Sequence, residues 1–245
     1  MKRSGILDAT VCTVAGVAIL IGLGIWQLDR KVWKEDLIEK TTSRLSAAPV
    51  RLAPREEWSK LSQSADEFRR VMFPAEFLNE KESLVYSAGS ALRPDVAGQG
   101  YWVFTPARLP GGSIVMVDRG FVPNDKKDAA ARPQGALSGP VDIVGVMRWP
   151  EPRGLFTPPD DPKGNVWYLR DHRAMAQAKD VGAVAPFYID QEEPLPPGGW
   201  PNAGRLTLKV PNNHLQYALT WFGLALGLAG VYVVWLAGRL RRPRH

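Results

Sequence analysis

The sequence predicts an α+β membrane protein. Two transmembrane helices, one near each terminus, form a hairpin that carries a mostly antiparallel, barrel-like extramembrane β domain. The helices are predicted by two uncharged apolar segments, Ala9–Leu28 and Leu215–Gly238, although the mean hydropathy of the whole chain is only −0.18. At about 1.5 Å per residue, the first segment alone spans the roughly 30 Å core of a bilayer. The β domain is predicted by the short apolar runs that lie between the two segments.

The chain divides into five predicted parts: a cytoplasmic N-terminus (1–8), a first transmembrane helix (9–28), a β-rich domain (29–213), a second transmembrane helix (214–238) and a basic cytoplasmic tail (239–245). Lys2 and Arg3 precede the first helix and four arginines follow the second. The positive-inside rule therefore places both termini in the cytoplasm and the β domain across the membrane. These flanks, facing anionic lipid, account for much of the net charge of +6. We therefore expect a lipid bilayer, and no nucleic acid, as a partner.

The first apolar segment has a second interpretation, a cleaved signal peptide. Lys2 and Arg3 would form its basic region, and Gly22-x-Gly24 would be a weak small-x-small cleavage site. The apolar run is longer than the usual core of about 7–15 residues in such peptides, and a second span follows at the C-terminus. An uncleaved anchor therefore fits the sequence better.

The predicted strands are short runs rich in Val, Ile, Phe, Tyr and Trp, with Gly and Pro between them. They lie near Val71, Val85, Trp102, Ser113, Val141, Asn165, Pro186 and Leu206. One helix-like run, Asp171–Lys179, interrupts them, and the charged run Asp29–Glu39 continues the first helix. Because helices of about ten residues do not alternate with the strands, we predict an antiparallel rather than a parallel sheet.

Composition and motifs exclude several kinds of site. A single cysteine cannot form an internal disulfide, a zinc ribbon or a CxxC pair. No GxSxG elbow, HExxH helix, Walker loop or GxGxxG fingerprint occurs, so a hydrolase is unsupported. Asp160-Asp161 lies among prolines and is typical of a turn rather than a catalytic carboxylate pair. Of the three histidines, His245 ends the basic tail, and His172 is expected to be an exposed first-turn residue of a helix capped by Asp171.

The third histidine, His214, lies where the second span enters the membrane. On a helix that begins near Asn213, His214 is followed at i+3, i+7 and i+10 by Tyr217, Trp221 and Leu224, which form one stripe with polar tips. Such a stripe suits a planar apolar ligand. It also fits an ordinary interfacial belt, in which Tyr, Trp and His place polar tips at the headgroups.

The hairpin topology makes the external ends of the two helices neighbours. Small residues at Ala18 and Gly22 on the first helix and at Gly223 and Gly227 on the second predict close approach of the backbones. Trp26, Gln27 and His214 would then converge into a site. An imidazole is a common axial ligand of haem iron, and Arg30 with Lys34 just outside would meet the propionates.

Three ordered blocks resemble the Surfeit locus protein 1 family, whose members are membrane factors for assembly of haem-copper cytochrome oxidase. The blocks are Gly24-x-Trp26-Gln27-x-x-Arg30-x-x-x-Lys34, Val117-Asp118-Arg119-Gly120-Phe121-Val122-Pro123, and Asn212-Asn213-His214-Leu215-Gln216-Tyr217-x-x-Thr220-Trp221-Phe222. Phe156-Thr157-Pro158 and Trp167-Tyr168-x-x-Asp171 are also similar. The resemblance spans nearly the whole chain. Phe121 stands where many members carry Trp, and Asp118 where Asn is frequent.

The resemblance implies a non-catalytic helper in the biogenesis of the oxidase's largest subunit, with transient haem a binding or insertion as the mechanism. It implies His214 as the iron ligand. The helical stripe and the hairpin geometry described above would then place Trp26, Gln27, Tyr217, Trp221 and Arg30 around the haem. The largest oxidase subunit would be the partner, together with a haem a synthesis enzyme. Because the first span begins within ten residues of Met1, we expect no organelle targeting segment before it. We therefore expect a bacterial inner (plasma) membrane protein with a periplasmic β domain.

Two other functions stay open at the sequence level. One is a haem-independent scaffold that holds a partly assembled oxidase subunit, and the other is a membrane-anchored envelope enzyme. The block Asp118-Arg119-Gly120 likewise has two interpretations. It is either a strand ending in a bulge, with a local ion pair and a glycine at positive φ, or part of a docking edge with Trp102 and Tyr101.

Overall fold

A computed structural model describes residues 2–90, 92–208 and 212–241. It divides into two compact units, Met1–Lys40 with Val210–His245 and Thr41–Lys209. In chain order the elements are α1 (Lys2–Ser46), β1 (Val50–Arg51), α2 (Gln63–Asp66), β2 (Arg70–Phe77), β3 (Ser83–Ser87), β4 (Gly100–Arg108), β5 (Ile114–Pro123), β6 (Pro140–Arg148), β7 (Val166–Trp167), α3 (His172–Ala178), β8 (Val184–Glu193) and α4 (His214–Arg241). Short 3₁₀ helices occupy Arg55–Lys60, Asn79–Lys81, Asn124–Lys126, Ala129–Ala131 and Pro133–Gly135.

The first unit contains most of α1 and all of α4. Both helices are apolar and long enough to cross a membrane, over Gly5–Ser46 and His214–Arg241. The predicted charged continuation of α1 to Glu39 is present and extends further, to Ser46. Charge pairs one turn apart support this part of the helix, with 2.8 Å between Lys31 and Glu35. The helix ends shortly before Pro49, which disfavours helical backbone at the residue that precedes it.

The second unit contains a closed five-stranded barrel in the order β2-β6-β8-β5-β4, with β4 pairing back to β2. That last pairing joins Glu76 to Arg108 and Phe77 to Ala107. β3 and β7 extend the sheet beyond β4, and β1 pairs with β2. The predicted mostly antiparallel, barrel-like domain is therefore confirmed. Within the barrel the described strands have one parallel pair, β5 with β8, which requires the long crossover that contains α3.

Two large apolar clusters and one small one pack against the sheet. The first includes Phe73, Val117, Ile143, Phe187 and Ile189, all buried. The second, on alternate residues of the same strands, includes Met116 and Tyr188, and there Met175 and Ala176 of α3 pack on the sheet. Because successive side chains of a strand point to opposite faces, β5 and β8 are covered on both faces. This is why β5 reads as a nearly continuous apolar run.

Two expectations about individual segments are wrong. The run that begins at Leu206 was expected to be a strand, but residues 206–208 have no regular structure, and the remainder of that run lies outside the described residues. His172 was expected to be exposed, but it is completely buried, with Nε2 3.0 Å from the carbonyl oxygen of Ala185 in β8. Packing of α3 on the sheet overrides the exposure typical of a first turn. The predicted cap is correct, since Asp171 accepts hydrogen bonds from the N–H groups of Arg173 and Ala174.

Candidate functional site at the ends of the long helices

The two long helices pack against each other in antiparallel fashion through two glycines of α1. A methyl group added to Gly16 would lie 3.0 Å from Leu228, and one added to Gly24 would lie 2.4 Å from the ring of Phe222. On α4, the small residues Ala218 and Ala225 are buried. The absence of side chains at Gly16 and Gly24 therefore lets large side chains of α4 approach the backbone of α1.

The small faces predicted from the sequence are not the ones in contact. No atom lies within 4 Å of a methyl group built on Gly22, Gly223 or Gly227, among the described residues, and Ala18 is exposed. At 3.6 residues per turn, Gly22 points away from the face that carries Gly16 and Gly24. Close approach of the helices was predicted correctly, but from the wrong glycines.

A hydrogen bond between the helices joins two of the predicted site residues. His214, at the start of α4, places Nδ1 2.7 Å from Oε1 of Gln27 on α1, and both side chains are half-buried. Near the opposite end of the pair, the hydroxyls of Thr10 and Tyr232 form a second hydrogen bond. One polar contact near each end sets the register of the two helices.

The other predicted site residues lie around this contact without joining it. Trp26 is 52% exposed, and it is rotated by about 100° around α1 from Gln27. Tyr217 is 57% exposed, whereas Trp221 is half-buried. Arg30 is exposed, one turn beyond Gln27, and its guanidinium lies 4.5 Å from the centre of the Trp33 ring. The structure thus brings Gln27 and His214 together and leaves Trp26 outside their contact.

The Asp118-Arg119-Gly120 block lies inside the β domain. Arg119 is only 2% exposed, donates hydrogen bonds to Asn79 Oδ1 (3.0 Å) and to the carbonyl of Gly135, and stacks on Phe77. Burial, together with the nearby Arg132 guanidinium, lowers the pKa of Arg119 to about 10. Arg119 therefore ties the 3₁₀ segments to the barrel.

The docking-edge interpretation of this block is wrong, because Arg119 and Trp102 are both buried. The structural interpretation is correct for the bulge and the glycine, since the register of the β4–β5 pair shifts at Arg119-Gly120. It is wrong for the local ion pair and the strand end, because Asp118 pairs with Arg170 and β5 continues to Pro123. Gly120 has φ +115°, and a methyl group on it would lie 2.3 Å from the backbone of Asn202. A side chain at this position would meet both a strained backbone and a neighbouring chain segment.

A buried charge cluster in the barrel was not predicted. Asp118 and Asp190 are register partners in the parallel β5–β8 pair. Asp118 lies 3.7 Å from Arg170, and Asp190 lies 3.1 Å from Arg148. Burial raises the pKa of Asp118 to about 7. The attraction of Arg170 opposes this increase, and repulsion from Asp190 adds to it. No local pattern signals this cluster, because it depends on which strands pair.

The remaining carboxylates do not form a metal centre in the parts of the chain that the structure describes, where no group of three or more His, Cys, Asp or Glu residues could hold an ion. Asp160 pairs with Arg153 and accepts a hydrogen bond from the N–H of Tyr168. Asp161 accepts one from the N–H of Gly164. The prediction that Asp160-Asp161 forms a turn is therefore confirmed.

Similarity to known proteins extends over nearly the whole chain. The model of the SURF1 family matches residues 14–226. The chain belongs to the SURF1 family. It is 34% identical over 236 residues to Surfeit locus protein 1 of Mus musculus, covering 92% of this chain and 74% of that protein. It is 36% identical over 222 residues to a SURF1-like protein of Drosophila melanogaster, covering 85% of this chain and 71% of that protein.

The similarity to Surfeit locus protein 1 of Takifugu rubripes covers almost all of both proteins. It is 32% identity over 238 residues, which is 92% of this chain and 94% of that one. The SURF1 family match includes both members of the contact between the helices, Gln27 and His214. The resemblance found in the sequence motifs is thus confirmed.

Proposed function

We propose that this chain assists the assembly of a haem-copper cytochrome c oxidase by holding haem a at the paired ends of its long helices. Family membership supports the role in assembly, and the hydrogen bond between His214 and Gln27 supports the place. The chain would act without catalysing a reaction. It would pass haem a to the largest oxidase subunit, after receiving it from a haem a synthesis enzyme.

The residues at the helix ends fit a haem. His214 uses Nδ1 for its bond to Gln27, and in the described part of the chain Nε2 has no hydrogen-bond partner. A His that ligates a metal ordinarily engages its other ring nitrogen in this way. Haem a, when bound, would bring the iron that Nε2 ligates, as well as a planar macrocycle. Trp221 and Tyr217 would lie against the macrocycle, and the exposed guanidinium of Arg30 would pair with a propionate.

The proposed location is the inner membrane of a bacterium, with both helices spanning the bilayer. Arg239 and Arg241 lie in the last turn of α4, at the end opposite His214. By the positive-inside rule this end faces the cytoplasm, and His214 then lies at the external surface. The β domain would be periplasmic. A reporter that functions only in the cytoplasm should be active when fused to either terminus, and a reporter that functions only in the periplasm should be inactive there.

Deletion of the gene from its host tests the assembly role. We expect a loss of cytochrome oxidase activity while the amount of haem a synthesised stays normal, and restoration of activity by the wild-type chain but not by His214→Ala. Unchanged oxidase activity in the deletion strain would contradict the role in assembly. Restoration of activity by His214→Ala would contradict the haem site but not the role in assembly.

A second candidate function, a haem-independent scaffold for a partly assembled oxidase subunit, is favoured by one surface feature. The side chains of Leu155 and Phe156 are 99% and 97% exposed, side by side in the loop between β6 and β7. Large apolar side chains at the corner of a turn are unusual, because polar residues and glycine dominate there. Adjacent exposed apolar groups are typical of contact with another protein.

The loop around these side chains is built as a braced turn. The N–H of Thr157 donates to the carbonyl of Gly154 at 3.2 Å, which closes a turn with Leu155 and Phe156 at its corners. At its base, Arg153 donates to the carbonyl of Pro158 at 2.6 Å and pairs with Asp160. A braced turn loses little conformational freedom on binding, which favours association.

The scaffold role is tested by the double variant Leu155→Ser/Phe156→Ser in the deletion strain. If this turn holds an oxidase subunit, the variant should fold normally, keep its haem and fail to restore oxidase activity. Leu195→Ser is the matched control, since Leu195 is also exposed in a loop, and it should restore activity. Full restoration by the double variant would contradict a role for the turn.

A further inference from the structure

We infer that Gln27 is a positioning residue that holds His214 in the Nδ1–H tautomer and so makes Nε2 the nitrogen available to iron. The inference rests on the proposed function where it concerns iron. The part that concerns the tautomer stands on the helix contact alone.

The direction of the hydrogen bond follows from the two atoms that form it. Oε1 of Gln27 is a carbonyl oxygen and can only accept, so Nδ1 of His214, 2.7 Å away, must donate. A neutral imidazole carries one proton on its two nitrogens. With that proton on Nδ1, the lone pair is on Nε2. Because a metal ligand needs the lone pair, the contact selects which nitrogen binds iron.

The position of Gln27 is fixed by the packing of the helices. Gly24 lies one turn before it on α1, and the ring of Phe222 fills the space that a side chain at Gly24 would need. Helical residues three apart lie on neighbouring parts of one face, so the approach at Gly24 brings Gln27 towards α4 as well. The amide is thus held by two rigid helices rather than by a loop, which is how precise sites are supported.

An uncharged partner also suits a site that must release its haem. A carboxylate that accepted from Nδ1–H would make Nε2 more basic and a stronger ligand of iron. The amide of Gln27 orients the ring and gives a smaller increase in basicity. The Gln27 amide therefore orients the imidazole for binding. The bond to iron is weaker than it would be with Glu at position 27.

The first test is nitrogen-15 NMR of the histidines in the full-length, haem-free protein in detergent micelles. The signal of His214 is assigned by its absence in His214→Ala. We expect His214 to be protonated at Nδ1 in the wild type, and to become a mixture of tautomers in Gln27→Leu, which keeps the size of the side chain but cannot accept. Gln216→Leu is the matched control, because Gln216 is exposed on α4, and it should not change the spectrum.

The second test measures haem a affinity and the reduction potential of the bound iron. Gln27→Leu should weaken binding by about tenfold, as is typical when the partner of a ligating His is lost. Gln27→Glu should bind at least as tightly as the wild type and lower the potential. A purely structural role for Gln27 would not predict this shift in potential.

The outcomes separate the inference from the proposed function. The same tautomer in the wild type and in Gln27→Leu, or protonation at Nε2 in the wild type, would overturn the inference whether or not haem binds. A change of tautomer with no haem binding in any variant would overturn the haem site and support the tautomer assignment. A change of tautomer together with the loss of affinity supports both.

Discussion

His172 and His214 have the same side chain in different surroundings. His172 is buried beneath α3, with Nε2 close to the Ala185 carbonyl, and burial lowers its pKa to about 4. His214 is half-buried, and only its Nδ1 is bonded within the described residues. The sequence correctly predicted that His214 lies at the start of the second long helix. The burial of His172 could not be predicted, because it depends on how α3 packs on the sheet.

At Asp118 we predict that replacement by Asn stabilises the protein at alkaline pH. With the pKa of Asp118 raised from 3.8 to about 7, the folded protein binds a proton that the unfolded chain releases between these values. The contribution of Asp118 to stability is therefore fully present below about pH 4 and is lost as the pH rises through about 7. Asp118→Asn should remove this dependence, with a gain on the order of a few kcal/mol in the free energy of unfolding at pH 8.

Denaturant unfolding between pH 5 and 8 measures this effect. Asp142→Asn is the control, because Asp142 is exposed on β6, and its unfolding should follow the pH dependence of the wild type. A loss of stability in Asp118→Asn at pH 8 would contradict the account, since it would mean that the ionised Asp118 stabilises the fold through Arg170.

Among the elements, those with strong local patterns were predictable from the sequence. Seven of the eight predicted runs coincide with β2 to β8, since short apolar runs with Gly and Pro between them identify strands. The eighth, at Leu206, has the same composition without a pairing partner over 206–208. The two-residue β1 has no pattern of its own. The parallel β5–β8 pair depends on the closure of the barrel, which no local pattern encodes.

In β5, we predict that Gly120→Ala destabilises the protein far more than Gly112→Ala. Both glycines have positive φ, +115° and +80°, so an alanine at either position would strain the backbone. Only at Gly120 would the added methyl group meet backbone atoms, those of Asn202 at 2.3 Å. We expect a difference of about 2 kcal/mol or more in the free energy of unfolding. Equal losses would show that the contact with Asn202 does not matter.

In the helix pair, we predict that Gly24→Ala weakens the packing and Gly22→Ala does not. The methyl group at Gly24 would lie within 3 Å of the Phe222 ring, whereas at Gly22 it would meet no described atom within 4 Å. Overpacking of this kind costs about 1–3 kcal/mol. Gly24→Ala should therefore melt at a lower temperature in detergent, and Phe222→Ala should relieve the loss. Equal melting of both glycine variants would contradict the observed packing face.

For the whole molecule, the sequence predicted the two long helices and the β domain, and the structure confirms both. Family motifs predicted His214 as the haem ligand, and this stays a prediction. The contact of His214 with Gln27 was predicted as part of a wider convergence, since the hairpin makes the two helix ends neighbours. The position of Trp26 outside this contact follows from helix geometry, which the predicted convergence overlooked. Adjacent helical residues differ by about 100°, so the motif that contains Trp26 and Gln27 cannot turn both towards α4.

The proposed function requires that His214 holds haem a. Its most direct test is the absorption spectrum of the detergent-purified protein, produced together with the haem a synthesis enzymes, for the wild type, His214→Ala and the control Gln216→Ala. We expect a haem a band in the wild type and in the control, and its loss in a folded His214→Ala protein. A band of full intensity in His214→Ala, or no band in the wild type, would contradict it.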